Sequence, residues 1–228
     1  MSEDSQASLT PREALDLHSL HTHYANLDQQ RESATLGMWV FLVTEVMFFG
    51  GMITGYIAYR FAYPEAFRAG SVHMLFMAGT LNTAILITAS LFVALAVHGA
   101  REGNNRVVVW CLLISMFLGI CFLAIKGYEY HDHWVEHLVP GPWFQWNGPD
   151  PRHAELFFVL YFFLTGFHAL HMTIGVGLLG FIVYFAHKGR YTPEYHNPVE
   201  NAALYWHFVD IVWIFLYPML YLIGHQHV

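Results

Sequence analysis

Long apolar runs separated by short polar segments dominate the pattern of this chain. Five of these runs, at approximately residues 36–59, 74–97, 107–125, 154–186 and 202–223, have the length of membrane-spanning helices. A helix needs about 20 mostly apolar residues to cross the roughly 30 Å of hydrocarbon in a bilayer. Strands of a membrane barrel are about ten residues long and alternate in polarity. The pattern therefore predicts an all-α integral membrane bundle of five transmembrane helices.

Residues 1–35 form a polar N-terminal arm, and residues 36–228 form the transmembrane domain. The arm lacks the charged and then apolar layout of a signal peptide. Thr10 suits a helix N-cap, Pro11 suits the first turn, and Glu13 completes a capping box. Apolar residues then recur at helical spacing, at Leu17, Leu20, Tyr24 and Leu27. An amphipathic helix on the membrane surface and a disordered arm both remain open.

The connection between the third and fourth runs, at about residues 127–153, is longer than the other connections and rich in Trp and Pro. Indole rings prefer the headgroup layer of a membrane. We therefore predict an ordered lid that lies on the membrane surface.

Basic residues near the ends of the spans are divided almost evenly between the two faces of the membrane. The face that holds the N-terminus carries Arg31, Arg101, Arg106, Lys188 and Arg190, and the opposite face carries Arg60, Arg68, Lys126 and Arg152. Short cytoplasmic loops are enriched in Lys and Arg. This small excess predicts a cytoplasmic N-terminus and a periplasmic C-terminus.

The composition agrees with a membrane protein. Hydrophobic residues make up 56% of the chain and charged residues 12%, about half of the roughly 25% that soluble domains contain. So few charges exclude a soluble globule, and the net charge of −7 disfavours a nucleic-acid partner. Cys111 and Cys121 lie inside one apolar run, so no disulfide framework is indicated.

Several ionisable side chains lie inside the predicted spans, where each costs roughly 2.5–3.5 kcal/mol on insertion scales. At a rise of about 1.5 Å per residue, Glu45 lies about 13 Å, His207 about 8 Å and Asp210 about 12 Å from the N-terminal face. Thr88 and Ser90 return to a similar depth. We therefore predict one polar layer in the half of the membrane nearer the N-terminus.

Two interpretations of this layer remain open. His207 and Asp210 are three residues apart and share a helix face. They form either a clasp between helices or a site for a proton or a lipid headgroup. Glu45 serves either as a neutral hydrogen-bonding group between helices or in a proton or headgroup role.

The 16 histidines raise the alternative of a haem or copper protein. Bis-histidine haem needs two imidazoles at matched depth on neighbouring helices. His171, near the middle of the fourth span with His168, lies about 22 Å from the N-terminal face, whereas His207 lies about 8 Å from it. The covalent haem motif Cys-x-x-Cys-His does not occur. We therefore predict that this chain binds no metal.

Five segments, taken in order, resemble subunit III of the haem-copper respiratory oxidases. They are LGMWVFLVTEVMFF at 36–49, LNTAIL at 81–86, KGYEY at 126–130, GFHALHMTIG at 166–175 and ENAALYWHFVDIVWIFLY at 200–217. The chain is similar to the five-helix bacterial form, because a polar arm replaces the two additional front helices of longer members. The Trp- and Pro-rich loop is also longer than the usual link of that family.

The resemblance implies a non-catalytic subunit of a proton-pumping terminal oxidase in the bacterial plasma membrane, with cytochrome c as the donor. Such a subunit contacts catalytic subunit I directly, shares the complex with subunit II, and binds phospholipid between its helices. It supports assembly and proton uptake, while haem and copper reside in the partner subunits. A quinol oxidase subunit III, a nitric oxide reductase accessory protein and, from another class, a dihaem membrane cytochrome b are the alternatives.

The resemblance also implies roles for individual residues. Glu45 is the buried carboxylate of the lipid cleft, and His207 and Arg190 contact a headgroup. Structural polar contacts are expected at Asp210, His171, His168, Glu129 and Glu200.

Overall fold

The computed structural model describes residues 27–193, 195–222 and 224. Its helices are α1 (Leu27–Ala62), α2 (Pro64–Val72), α3 (Phe76–Arg101), α4 (Asn105–Val135), α5 (Pro151–His187) and α6 (Asn197–Tyr217), and a π-helical turn follows at Pro218–Leu222. Five of them, α1 and α3 to α6, are long and apolar enough to cross a membrane. Strands are absent from the described residues. The predicted all-α bundle with five spans is confirmed, and the capping box at Thr10 lies outside the described residues.

The polypeptide is helical because a bilayer offers no water to its peptide groups, which must bond to one another. Capping side chains and a proline determine where two of the helices begin. The Asn104 side chain accepts a hydrogen bond from Val107 N at 3.3 Å and caps α4. Asp150 caps α5 in the same way, and Pro151 occupies its first turn.

Two of the helices are longer than the spans predicted from the sequence. Helix α1 begins at Leu27 rather than near residue 36, and α4 continues to Val135 rather than ending near residue 125. Residues 127–135 are therefore helix and not part of a lid. The third span was predicted to end where charged residues appear. The helix continues because Lys126 and Glu129 form an ion pair inside the bundle. The short helix α2 was not predicted.

The remaining loop, residues 136–150, packs against α5. Phe144 and Trp146 each lie 5.8 Å from the Phe158 ring, and Gly141 N donates to Glu155 Oε1 at 3.1 Å. Trp143 is nevertheless 78% exposed. The loop is thus anchored on one side and presents an aromatic surface on the other.

Helix α6 is the centre of the bundle, and α1 lies at its edge. In the most apolar stretch of each span, 56% of the residues are buried for α6 but only 11% for α1. Helices α3, α4 and α5 pack in sequence, α6 closes against α3 and α5, and α1 packs on α5 and α6. The outer face of α1 is therefore left for lipid or for another protein.

Candidate functional site

Glu45 and His171 form a hydrogen-bonded pair between α1 and α5. Glu45 Oε2 lies 3.0 Å from His171 Nε2, and their side chains are 18% and 12% exposed. His171 Nδ1 lies 2.8 Å from the Phe167 carbonyl oxygen, which can only accept, so Nδ1 carries a proton. Nε2 then either accepts a hydrogen bond from a neutral Glu45 or donates one to its carboxylate. In both cases one hydrogen bond joins α1 to α5.

The surroundings of this pair are apolar and aromatic. Phe49 meets the His171 ring edge-on at 5.1 Å, and the Tyr205 hydroxyl donates to the His171 carbonyl oxygen at 3.0 Å. A shallow groove of about 240 Å³ runs along α5 one turn away. It is lined by Phe162, Phe163, Gly166, Phe167 and Leu170. The groove residue Phe167 precedes His171 by one turn of α5, so the pair lies beside this apolar groove.

The prediction that Glu45 and His171 lie at different depths was wrong. Because α1 begins at Leu27, Glu45 lies about 27 Å along its helix, and His171 lies about 24 Å from the end of α5 at His187. The two positions match. His207, about 15 Å into α6, lies closer to the N-terminal face. The single predicted polar layer is in fact two separate groups.

The second group contains His207, Ser90 and Asp210. Ser90 Oγ lies 2.6 Å from His207 Nδ1 and joins α3 to α6. The Asp210 side chain is buried, and Ser90 and Trp206 are its hydrogen-bonding neighbours, although their geometry is too poor for well-formed hydrogen bonds. The Thr88 hydroxyl donates to Ala84 O of its own helix instead.

A third group, centred on Glu129, is fully enclosed. Glu129 Oε1 accepts hydrogen bonds from the Tyr161 and Tyr221 hydroxyls, both at 2.6 Å. Lys126 Nζ donates to Glu129 Oε2 at 3.1 Å, to Tyr161 at 3.0 Å and to Tyr221 at 2.8 Å. Glu129 was predicted from the sequence as a structural polar contact, but Lys126 and both tyrosines were not predicted as its partners. Only the three-residue spacing of Lys126 and Glu129 could have signalled part of the cluster.

The remaining predicted site residues are dispersed. Glu200 contacts Arg101 at 2.8 Å, His196 at 3.3 Å and Arg31 at 3.7 Å, so it joins the N-terminal-face ends of α1, α3 and α6. His168 is completely buried between aromatic rings.

Arg190 and His207 do not occupy the same environment. The Arg190 guanidinium is exposed and lies 4.9 Å from the centre of the Phe185 ring, beyond the end of α5. His207 is half-buried and is bonded to Ser90. A contact of both residues with one headgroup stays a prediction.

Groups of three or more His, Cys, Asp or Glu side chains that could hold a metal ion are absent from the described residues. The histidines inside the spans instead contact protein groups. His171 bonds to Glu45, His207 bonds to Ser90, and His168 packs on Phe122 and Trp213.

Comparisons with known proteins agree with this architecture. A family model described as cytochrome c oxidase subunit III matches residues 17–138 and 151–225, and the unmatched interval falls in the Trp- and Pro-rich loop. Cytochrome c oxidase subunit 3 of Synechocystis sp. is 32% identical over 224 residues, which are 98% of this chain and 85% of that protein.

Two animal proteins of the same name are also similar. The subunit 3 of Scyliorhinus canicula is 34% identical over 191 residues, which are 81% of this chain and 67% of that protein. That of Gallus gallus is 37% identical over 141 residues, which are 62% of this chain and 48% of that protein. The chain therefore belongs to the cytochrome c oxidase subunit III family.

Proposed function

We propose that this chain is the non-catalytic third subunit of a proton-pumping terminal oxidase that reduces oxygen to water with electrons from cytochrome c. The observation that carries this proposal is the family match, which extends from the first span to the last. The family carries no metal centre, so haem and copper belong to the partner subunits. The same match disfavours the alternative of a dihaem cytochrome b.

Within that complex, the chain contacts subunit I directly and shares the assembly with subunit II. The poorly buried α1 span supports this arrangement, because a large apolar face remains for lipid or a neighbouring protein. The exposed side chains of this face include Val40, Val43 and Met47.

A phospholipid binds between α1 and α5. The apolar groove on α5 suits an acyl chain, and the Glu45–His171 pair lies beside it, one turn after Phe167. Phe48 of α1 meets Phe167 of α5 at 5.1 Å and connects the groove to α1. Arg190 is exposed at the N-terminal face, where it is free to contact a headgroup, and half-buried His207 is bonded to Ser90.

The chain lies in the bacterial inner membrane with its N-terminus in the cytoplasm and its C-terminus in the periplasm. Lys126 was counted with the basic residues of the opposite face, but it is buried in an ion pair and is not a loop charge. Without it, the difference in basic residues between the two faces is larger, which supports a cytoplasmic N-terminal face.

Purification of the tagged chain from its native membrane tests the assignment. We expect a haem-copper catalytic subunit and a second oxidase subunit to co-purify, with activity toward reduced cytochrome c. Activity toward quinol alone would favour a quinol oxidase, and a nitric oxide reductase partner would favour the accessory protein. A haem absorption band from the isolated chain would overturn the proposal.

A variant pair on α5 tests the lipid site. Gly166→Leu fills the groove, whereas Gly177→Leu adds the same side chain on the same helix where nothing lies within 4 Å of the new Cβ atom. We expect the first variant to retain less phospholipid per purified complex, measured by mass spectrometry of extracted lipid, and the second to retain the normal amount. Equal lipid content in both variants would argue against the site.

A further inference from the structure

A pocket of about 420 Å³ lies between the end of α4 and the loop that follows it. Trp134, His137, residues 139–142 and Trp143 line this pocket. Both indoles are largely exposed, Trp134 by 68% and Trp143 by 78%. The pocket shares no lining residue with the apolar groove on α5. It is therefore a second concave site on the surface of the subunit, and we call it the loop pocket.

An exposed apolar stripe on α4 leads to the loop pocket. Leu113, Ile120, Gly127 and Trp134 recur every seven residues, a spacing that keeps them on nearly the same helix face. All four are exposed. A Cβ atom added to Gly127 would meet no atom of the described residues within 4 Å, so the stripe is open between Ile120 and Trp134. Because Trp134 belongs to both the stripe and the pocket, the two form one continuous surface.

The distance along α4 places the loop pocket in a headgroup layer of the membrane. Trp110, near the start of the helix, is as exposed as Trp134, and the two residues lie about 36 Å apart along the helix axis. A bilayer has about 30 Å of hydrocarbon and measures about 40–45 Å with its headgroups. Exposed indoles prefer the two headgroup layers. Trp134 and the loop pocket therefore lie in the headgroup layer opposite the N-terminal face.

The turn that ends α4 carries an unusual residue in this pocket. Leu138 N donates to His133 O at 2.9 Å, and His137 N donates to Trp134 O at 3.2 Å. These two bonds define the Schellman motif, whose left-handed position is usually a glycine. Here His137 occupies it, with a φ of 56°. Residues other than glycine seldom adopt this conformation, and those that do are concentrated at functional sites.

The charges around the loop pocket indicate the kind of headgroup that it accepts. Residues 127–151 contain no Lys or Arg, whereas Glu136, which lies between two lining residues, is exposed. A carboxylate and the faces of two indoles attract an ammonium group. The His137 imidazole supplies an N–H donor for a phosphate oxygen. An ammonium phospholipid thus complements the pocket better than an anionic one.

We propose that the loop pocket binds the headgroup of an ammonium phospholipid, with an acyl chain along the stripe that runs from Leu113 to Gly127. The pocket is held in place because Phe144 and Trp146 pack against Phe158. Residues 139–142 fall outside the stretches that match the subunit III family. The site therefore adds a lipid contact on the membrane face opposite Arg190, independently of the electron donor of the complex.

Titration of the delipidated oxidase complex with phosphatidylethanolamine, with bound lipid counted by native mass spectrometry, tests the site. We expect Trp143→Ala to weaken binding about tenfold, because one indole face is removed. Trp110→Ala, at the other end of α4, is the matched control and should bind as the unmodified complex does. Equal binding by the two variants would overturn the proposal. So would tighter binding of phosphatidylglycerol than of phosphatidylethanolamine by the unmodified complex.

His137→Gly separates lipid binding from folding. Glycine adopts the left-handed conformation without a steric cost, so we expect this variant to assemble and to denature at the same or a higher temperature. Its binding of phosphatidylethanolamine should nevertheless weaken, and unchanged binding would contradict the role of the imidazole. A density map of the complex adds a direct result. Elongated density from Ile120 into the loop pocket supports the site, whereas an empty pocket or a side chain of another subunit in it overturns the proposal.

Discussion

Lys126 and Glu129 form an ion pair of 3.1 Å that the bundle encloses almost completely, with side-chain exposures of 3% and 0%. The two residues lie one turn apart on α4, but their remaining hydrogen bonds come from elsewhere. Tyr161 belongs to α5, and Tyr221 belongs to the π-helical turn after α6. The pair therefore ties the end of the chain to the middle of the bundle.

Removal of either charge from this pair should destabilise the subunit strongly. A single Lys126→Met or Glu129→Gln change leaves the other ion buried without its partner, which costs about 3–5 kcal/mol in comparable proteins. We expect the double variant to lose less than the sum of the two single losses. Thermal denaturation of the purified complex, monitored by the release of this subunit, measures these losses of stability. Strictly additive losses would mean that the two charges do not interact.

Gly119 should be intolerant of even one added carbon atom. The Cβ atom of Gly119→Ala would lie 2.8 Å from Trp206 Cη2 and 3.1 Å from Val176 Cγ2. Overpacking of this kind costs about 1–3 kcal/mol. Gly177→Ala on α5 is the matched control, because nothing lies within 4 Å of its new Cβ atom. Equal thermal stability of the two variants would contradict the close packing of Trp206.

Glu200 should contribute modestly to stability and in a salt-dependent way. Its carboxylate, which is 22% exposed, contacts the more exposed side chains of Arg101 and Arg31. Exposed ion pairs are worth about 0.2–1 kcal/mol each and are screened by salt. We expect Glu200→Gln to lower the denaturation temperature at low ionic strength, with a smaller difference in 1 M salt. A difference that is independent of salt would indicate a packing role instead.

Glu45→Gln should leave the oxidase assembled, with a modest loss of activity or endurance. The glutamine amide can still donate to His171 Nε2, so the link between α1 and α5 remains, but the carboxyl group is lost. Oxygen consumption during prolonged turnover, with subunit composition checked by gel, measures both effects. Loss of the catalytic subunit from the preparation would show that Glu45 is needed for assembly itself.

The separation of residues along each helix was predictable from the sequence, but their partners across helices were not. The spacing of His207 and Asp210 placed them correctly on one face of α6. The match of Glu45 with His171 was missed, because the depth estimate depended on where α1 begins. An error of nine positions in the start of the helix, from residue 36 to Leu27, changes the estimated depth of a side chain by about 13 Å.

The sequence by itself determined the class of the protein, the number of spans and the family. The thickness of the bilayer requires a minimum number of consecutive apolar residues in each span, and these runs are recognisable in the sequence alone. Only the tertiary structure decided that Lys126 is buried with Glu129 and two tyrosines, and that Asp210 lies beside Trp206 and Ser90. Such groupings depend on the rotation and offset of one helix against another. These are set by the packing of side chains at interfaces, such as Gly119 against Trp206, which no single segment specifies.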